Sequence, residues 1–198
     1  MTVPEELTAT AARLVVEEGM EYGAAKRKAL KALRGAYSSR VELPSDEQVE
    51  DAVREHIELF CPDTQPAELR ALREVAALWM ARMADFRPHV SGAVWRGTAT
   101  RLSTVRLDLY CDDPKAAEIQ MINAGEDYDS GALDLPGRRE PLNVLTVATP
   151  SAALGERVTV HLLLHDRDDL RGALKPDAQG RSWRGDLAAL NKRMTDFP

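Results

Sequence analysis

The chain has 198 residues, 44% of them hydrophobic, and a formal net charge of −6, enough apolar material for the core of one or two small domains. The acidic balance argues against bulk nucleic-acid binding, and no apolar run reaches the roughly 18 residues that span a bilayer. Residues 1–19, MTVPEELTATAARLVVEEG, are acidic and lack the basic-then-apolar order of a signal peptide, so a cytoplasmic protein without membrane contact is expected. Cys61 and Cys111 are too far apart to form a motif and read as buried free thiols.

Residues 1–87 read as a helical region. A first helix over 5–18 carries Leu7, Ala11, Leu14 and Val15 at helical spacing and stops at Gly19. A second spans 21–34 and stops at Gly35. Ser45 followed by Gln48 forms a capping box for a third, 46–60, which ends before Pro62. A fourth over 66–85 shows a broad apolar stripe through Leu69, Leu72, Val75, Ala76, Trp79, Met80 and Met83. From Arg87 the periodicity changes. Residues 104–111 alternate as a strand, and Asp113-Pro114 opens a helix that runs to Gly125. A loop-rich stretch through Gly131 and the turn PGRR at 136–139 leads to a strand over 143–149. Residues 157–166, RVTVHLLLHD, predict a well-buried strand. One or two helical turns broken at Pro176 follow, and then a closing helix over 185–195, with Gly185 breaking the chain and Asp186 capping. This order predicts an α+β protein: a helical N-terminal half packed on a small mixed sheet over 88–198.

The stretch 91–114, SGAVWRGTATRLSTVRLDLYCDDP, carries the chemistry. It resembles the signature of minimal nucleotidyltransferases of the polymerase-β-like superfamily, G-S-x-x-R-G-x-A-x-x-x-S-D-h-D-h with h apolar. Gly92, Arg96, Gly97, Thr98, Ala99, Thr100 and Ser103 fall in matching places, and Val105 and Leu107 fill the apolar slots. The resemblance implies a nucleotidyltransferase-like fold and a phosphate or nucleotide pocket at Gly92, Arg96, Gly97, Thr98, Thr100, Ser103 and Arg106. The loop from Gly92 to Ser103 would cradle phosphates through backbone N–H groups and hydroxyls. The chain departs from the pattern where Ala93 follows Gly92 in place of serine, and where Thr104 and Arg106 stand in place of the two metal-binding aspartates. Magnesium takes hard oxygen ligands, and Arg106 brings positive charge to the place of a cation. The same guanidinium can neutralise a phosphate without metal.

A binding or regulatory protein with a degenerate catalytic site is therefore the leading expectation, with no metal or other cofactor. A second register, with Asp108 in place of the first acid and Tyr110 in place of the second, allows an active enzyme. That enzyme would depend on magnesium and use relocated carboxylates, Asp108 with Asp112 or Asp166. His161 and His165 share a strand face with Thr159 and Leu163, and they offer acid–base or phosphate contacts if a pocket lies there. A third expectation is a protein–protein or toxin–antitoxin-type module that uses the helical half as its partner surface. Arg27, Lys28, Lys31 and Arg34 form a basic helix side, read as a solvated face paired with Glu17, Glu18 and Glu21 more readily than as a nucleic-acid site. Arg181, Trp183 and Arg184 could contact a base and a phosphate. There is no G-x-x-x-x-G-K-[ST] loop and no G-x-S-x-G elbow, which leaves P-loop and serine-hydrolase chemistry unsupported.

Overall fold

The computed structural model describes residues 3–33, 42–134, 140–176 and 180–196. Arg34, the stop at Gly35 and the PGRR turn lie outside the described residues. The chain divides into two compact units, one made of residues up to Leu69 with Thr98–Ser103, the other of Arg70–Gly97 with Thr104 onward.

The first unit is helical. Helices α1 (Val3–Glu18), α2 (Tyr22–Leu33) and α3 (Asp46–Phe60) bury Leu7, Ala11, Ala25, Ala29, Val49 and Val53 completely. Small alanines on α1 and α2 let the helix backbones approach closely while the valines of α3 fill the remaining space. The capping box is present in both directions: Gln48 N donates to Ser45 Oγ at 3.1 Å, and Ser45 N donates to Gln48 Oε1 at 2.8 Å. On the basic side of α2, Lys28 is paired with Glu18 at 2.5 Å; Lys26, off that side, pairs with Asp46 at 2.7 Å. The segment Thr98–Ser103 is fastened here by Gln65 Nε2, which donates to Ala99 O at 2.8 Å, and by Arg101 N, which donates to Glu68 Oε2 at 2.9 Å.

The second unit is α+β, as expected, with a mixed six-stranded sheet. Its strands are β1 (His89–Ser91), β2 (Val105–Cys111), β3 (Asp129–Leu133), β4 (Leu142–Ser151), β5 (Glu156–Asp166) and β6 (Arg184–Gly185), in the order β3-β4-β5-β2-β1-β6. Only β2 and β5 run parallel. Helix α4 (Gln65–Arg82) enters this unit at Arg70; α5 (Gly92–Arg96), α6 (Pro114–Asn123), α7 (Asp169–Ala173) and α8 (Leu187–Asp196) complete it. Alternation along the strands sorts one apolar face: Val90, Leu107, Leu162 and Leu145 lie in one lateral row, and Val105, Val160 and Val147 in the next, all buried. Trp79 of α4 is 1% exposed and donates from Nε1 to Thr149 Oγ1 at 2.6 Å, which sets α4 on this face. The apolar stripe of α4 is thus core, with Leu72, Val75, Ala76 and Met80 buried, Met83 buried just past its end, and Leu78 left exposed. Asp113 caps α6 through Lys115 N at 2.9 Å, and no described helix is long and apolar enough to cross a membrane.

Three strands were not anticipated. β1 and β6 have three and two residues, too short for a periodic signal. All five residues of β3 are exposed, so the strand has no alternation to read.

The C-terminal segment is buckled to α5. Trp95 Nε1 donates to Ser182 O at 2.8 Å, and the Arg193 guanidinium lies 3.8 Å from the Trp95 ring centroid. A Cβ on Gly185 would fall 2.2 Å from the Trp95 indole. The indole is rigid and enclosed, so Gly185→Ala is expected to destabilise by roughly 1–3 kcal/mol, read as a lower urea midpoint. An unchanged midpoint would show that the indole can move away.

Candidate functional site

The alternation that makes one face of the sheet apolar makes the other polar. Along β2 the second face takes Arg106, Asp108 and Tyr110. Register then sets partners beside each. Arg106 pairs with Ser91 on one side and His161 on the other; His161 pairs with Thr146, Thr146 with Asp129, and Ser91 with Arg184. One lateral row therefore crosses all six strands: Arg184, Ser91, Arg106, His161, Thr146, Asp129. The side chains meet within it, with Thr146 Oγ1 3.0 Å from His161 Nδ1. Arg106, His161 and Thr146 are half-buried and Asp129 is exposed, whereas Ser91 is buried. Gly92, at φ +68°, lies against the arginine, since a Cβ there would meet Arg106 Cδ at 3.4 Å.

The neighbouring part of this face holds a buried charge network. His165 Nε2 donates to Asp108 Oδ1 at 2.8 Å, and Arg184 Nη1 lies 3.4 Å from Oδ2. Arg184 Nη1 also donates to the Tyr110 hydroxyl at 2.5 Å. Tyr110 stacks on His165 at 5.2 Å and meets His89 edge-on at 5.7 Å. Burial alone would raise the Asp108 pKa. The His165 hydrogen bond, the Arg184 and His165 charges and the Ser91 hydroxyl outweigh it and hold the carboxyl below its usual range. Burial, reinforced by the Asp108 charge, pushes Tyr110 up to about 12. The network holds the Asp108 carboxyl between the His165 hydrogen bond and the Arg184 charge.

The predicted phosphate run divides between the two units. Gly92–Arg96 forms a helical turn rather than an open loop, and Gly97, at φ +84°, ends it. The Arg96 guanidinium lies 4.3 Å from the Trp183 ring centroid. Thr98, Thr100 and Ser103 belong to the helical unit. There Ser103 Oγ accepts from Thr100 N at 3.0 Å, and among the described residues the buried hydroxyls of Thr98 and Thr100 have no hydrogen-bond partner. Thr104 sits just ahead of β2.

The candidate carboxylates are not gathered. Asp108 is 3% exposed and tied to His165 and Arg184. Asp112 is exposed and paired with Arg167 at 2.9 Å, and Asp166 accepts from Asp168 N at 2.9 Å. Among the described residues, no group of three or more His, Cys, Asp or Glu side chains is placed to hold a metal ion. Both cysteines are free; Cys111 is buried but Cys61 only half-buried, because Cys61 stands past the end of α3. Burial and the charges of Asp113, Asp112 and Asp166 raise the Cys111 pKa, which keeps the thiol protonated.

Ser91, Thr146, Asp129, Arg184, Tyr110 and His89 are the site neighbours that the sequence did not single out for these roles. Their one legible signal is alternation, which assigns a face but no partner.

No protein-family model and no curated protein sequence matches this chain. Among solved structures, the Cid1 poly(U) polymerase with bound MgGTP is 15% identical over 50% of this chain and 32% of its own, at a TM-score of 0.35. The same enzyme with the UTP analogue UMPNPP is 17% identical over 64% and 40%, also at 0.35. A cytoplasmic RNA terminal U-transferase is 16% identical over 54% and 33%, at 0.36. The matched regions span a third to two fifths of the length of those enzymes. At these values the likeness assigns neither family nor activity.

Proposed function

We propose that this chain is a nucleotidyltransferase-like protein whose metal site is degenerate, and that it binds a phosphorylated ligand, a nucleotide foremost, on the polar face of its sheet. The observation that carries the reading is the pairing of Arg106 with His161 on adjacent parallel strands, with Thr146 hydrogen-bonded to the imidazole. A guanidinium offers fixed, planar N–H donors that match phosphate oxygens, and the imidazole and hydroxyl add further polar contacts.

Magnesium does not fit this place. The resembled signature puts its acids where Thr104 and Arg106 stand, and the nearest carboxylate on the same face, Asp108, is already shared by Arg184 and His165. An enzyme that relied on Asp108 with Asp112 or Asp166 would have to break that network to free a ligand. The partner-module reading also loses support, because the apolar stripe of α4 is occupied by the protein's own core.

Calorimetric titration with ATP, CTP, GTP and UTP, each with and without magnesium, tests the proposal. Binding of at least one nucleotide that persists in excess chelator is expected. Binding that needs magnesium, and is lost in Asp108→Asn while the fold persists, would replace this reading with the enzyme. Silence toward all four nucleotides would sink both.

A further inference from the structure

The lateral row has a polarity that the phosphate reading does not use. From Ser91 through Arg106, His161 and Thr146 it presents groups able to donate; at its far end, on the edge strand β3, it presents an acceptor, the exposed carboxylate of Asp129. Three strand spacings of about 4.8 Å each separate Arg106 from Asp129, or about 14 Å along the row. Inorganic phosphate held at Arg106 and His161 leaves Asp129 without a role. A mononucleotide lying across the strands, phosphate at the arginine and base toward the edge, reaches both ends.

A carboxylate accepts and cannot donate, and its two oxygens take two parallel N–H bonds. Guanine is the nucleobase whose pairing edge offers two adjacent N–H donors, the ring N1–H and the 2-amino group. Adenine and cytosine each set an amino group beside a ring nitrogen that accepts, which would face the carboxylate lone pairs. Uracil offers a single N–H between two carbonyls.

Building on the phosphate reading, we propose that the ligand of this face is a guanine nucleotide, with its phosphate at Arg106 and His161 and its base edge on Asp129. The selectivity comes from the register of β3 on β4, which sets Asp129 opposite Thr146 in the same row as His161.

The test is titration of the whole chain with 5′-GMP, IMP, AMP and inorganic phosphate, for the native protein and for Asp129→Asn and Arg106→Ala. Native protein is expected to bind GMP about tenfold more tightly than IMP or AMP, the worth of a charge-assisted bond at an exposed site. Asp129→Asn is expected to erase that preference and to leave phosphate affinity unchanged. Equal affinities for the three nucleotides in native protein, or a GMP preference that survives Asp129→Asn, would overturn the assignment. Equal weakening of GMP, IMP and AMP by Asp129→Asn would place the ribose hydroxyls at Asp129 and overturn it as well. Phosphate affinity untouched by Arg106→Ala would instead bring down the phosphate reading itself. The two failures are therefore distinguishable.

Discussion

Asp108→Asn is expected to lower the unfolding free energy by about 3 kcal/mol, the low end of what breaking a buried ion pair costs. The carboxylate is 3% exposed, accepts from His165 at 2.8 Å and faces Arg184 at 3.4 Å. Asparagine keeps the shape but presents an amide, leaving the Arg184 guanidinium without its counter-charge inside the sheet face. The loss comes less from the missing attraction than from the desolvated charge that remains. Arg184→Met is expected to cost a similar amount, because it leaves the carboxylate with His165 alone and also removes the donor to Tyr110. The double variant should lose less than the sum of the two, since neither stranded charge survives. Urea unfolding of the four proteins measures the coupling; strict additivity would show that the pair does not interact.

The same pair sets an acid limit. The folded-state pKa of Asp108 lies below its unfolded value. Its contribution is therefore whole above about pH 4, the ordinary aspartate value, and is lost as pH falls through the folded value. Stability of the native chain should fall more steeply below pH 4 than that of Asp108→Asn. Parallel curves would count against the network as the cause.

Arg106→Ala is expected to weaken nucleotide and phosphate binding by about ten- to a hundredfold, the range for charge-assisted hydrogen bonds. Arg106 is half-buried at the centre of the polar row, so alanine removes donors from the ligand without opening the apolar core on the far side of the sheet. Because part of that energy is electrostatic, raising ionic strength should narrow the gap between native protein and variant. Titration at two salt concentrations reads both effects. A variant that binds as tightly as native protein at low salt would remove Arg106 from the site.

Several elements were legible from local chemistry alone. Ser45 and Gln48 start α3 because their side chains satisfy donors that the first helical turn leaves open, and Asp113 and Asp186 do the same for α6 and α8. The alternation of residues 105–111 sorted Leu107 from Arg106 and Asp108 before any partner was known, as side chains on a strand must alternate. That Thr104 and Arg106 stand where the resembled signature has acids was visible as well, since charge is written in residue type.

Tertiary structure decided what those side chains meet. Asp108 finds His165 at a separation of 57 residues, and Tyr110 finds Arg184 at 74, contacts that no local period encodes. β3 exists because β4 supplies its hydrogen bonds, not because DSGAL favours a strand. The Thr98–Ser103 stretch, continuous in sequence with Gly92–Gly97, settles with the helical unit because Gln65 and Glu68 satisfy its backbone. A sequence states the charge of Asp108 and the face it occupies; only the sheet register determines that this charge is neutralised inside the protein while Arg106 and Asp129 stand on one row.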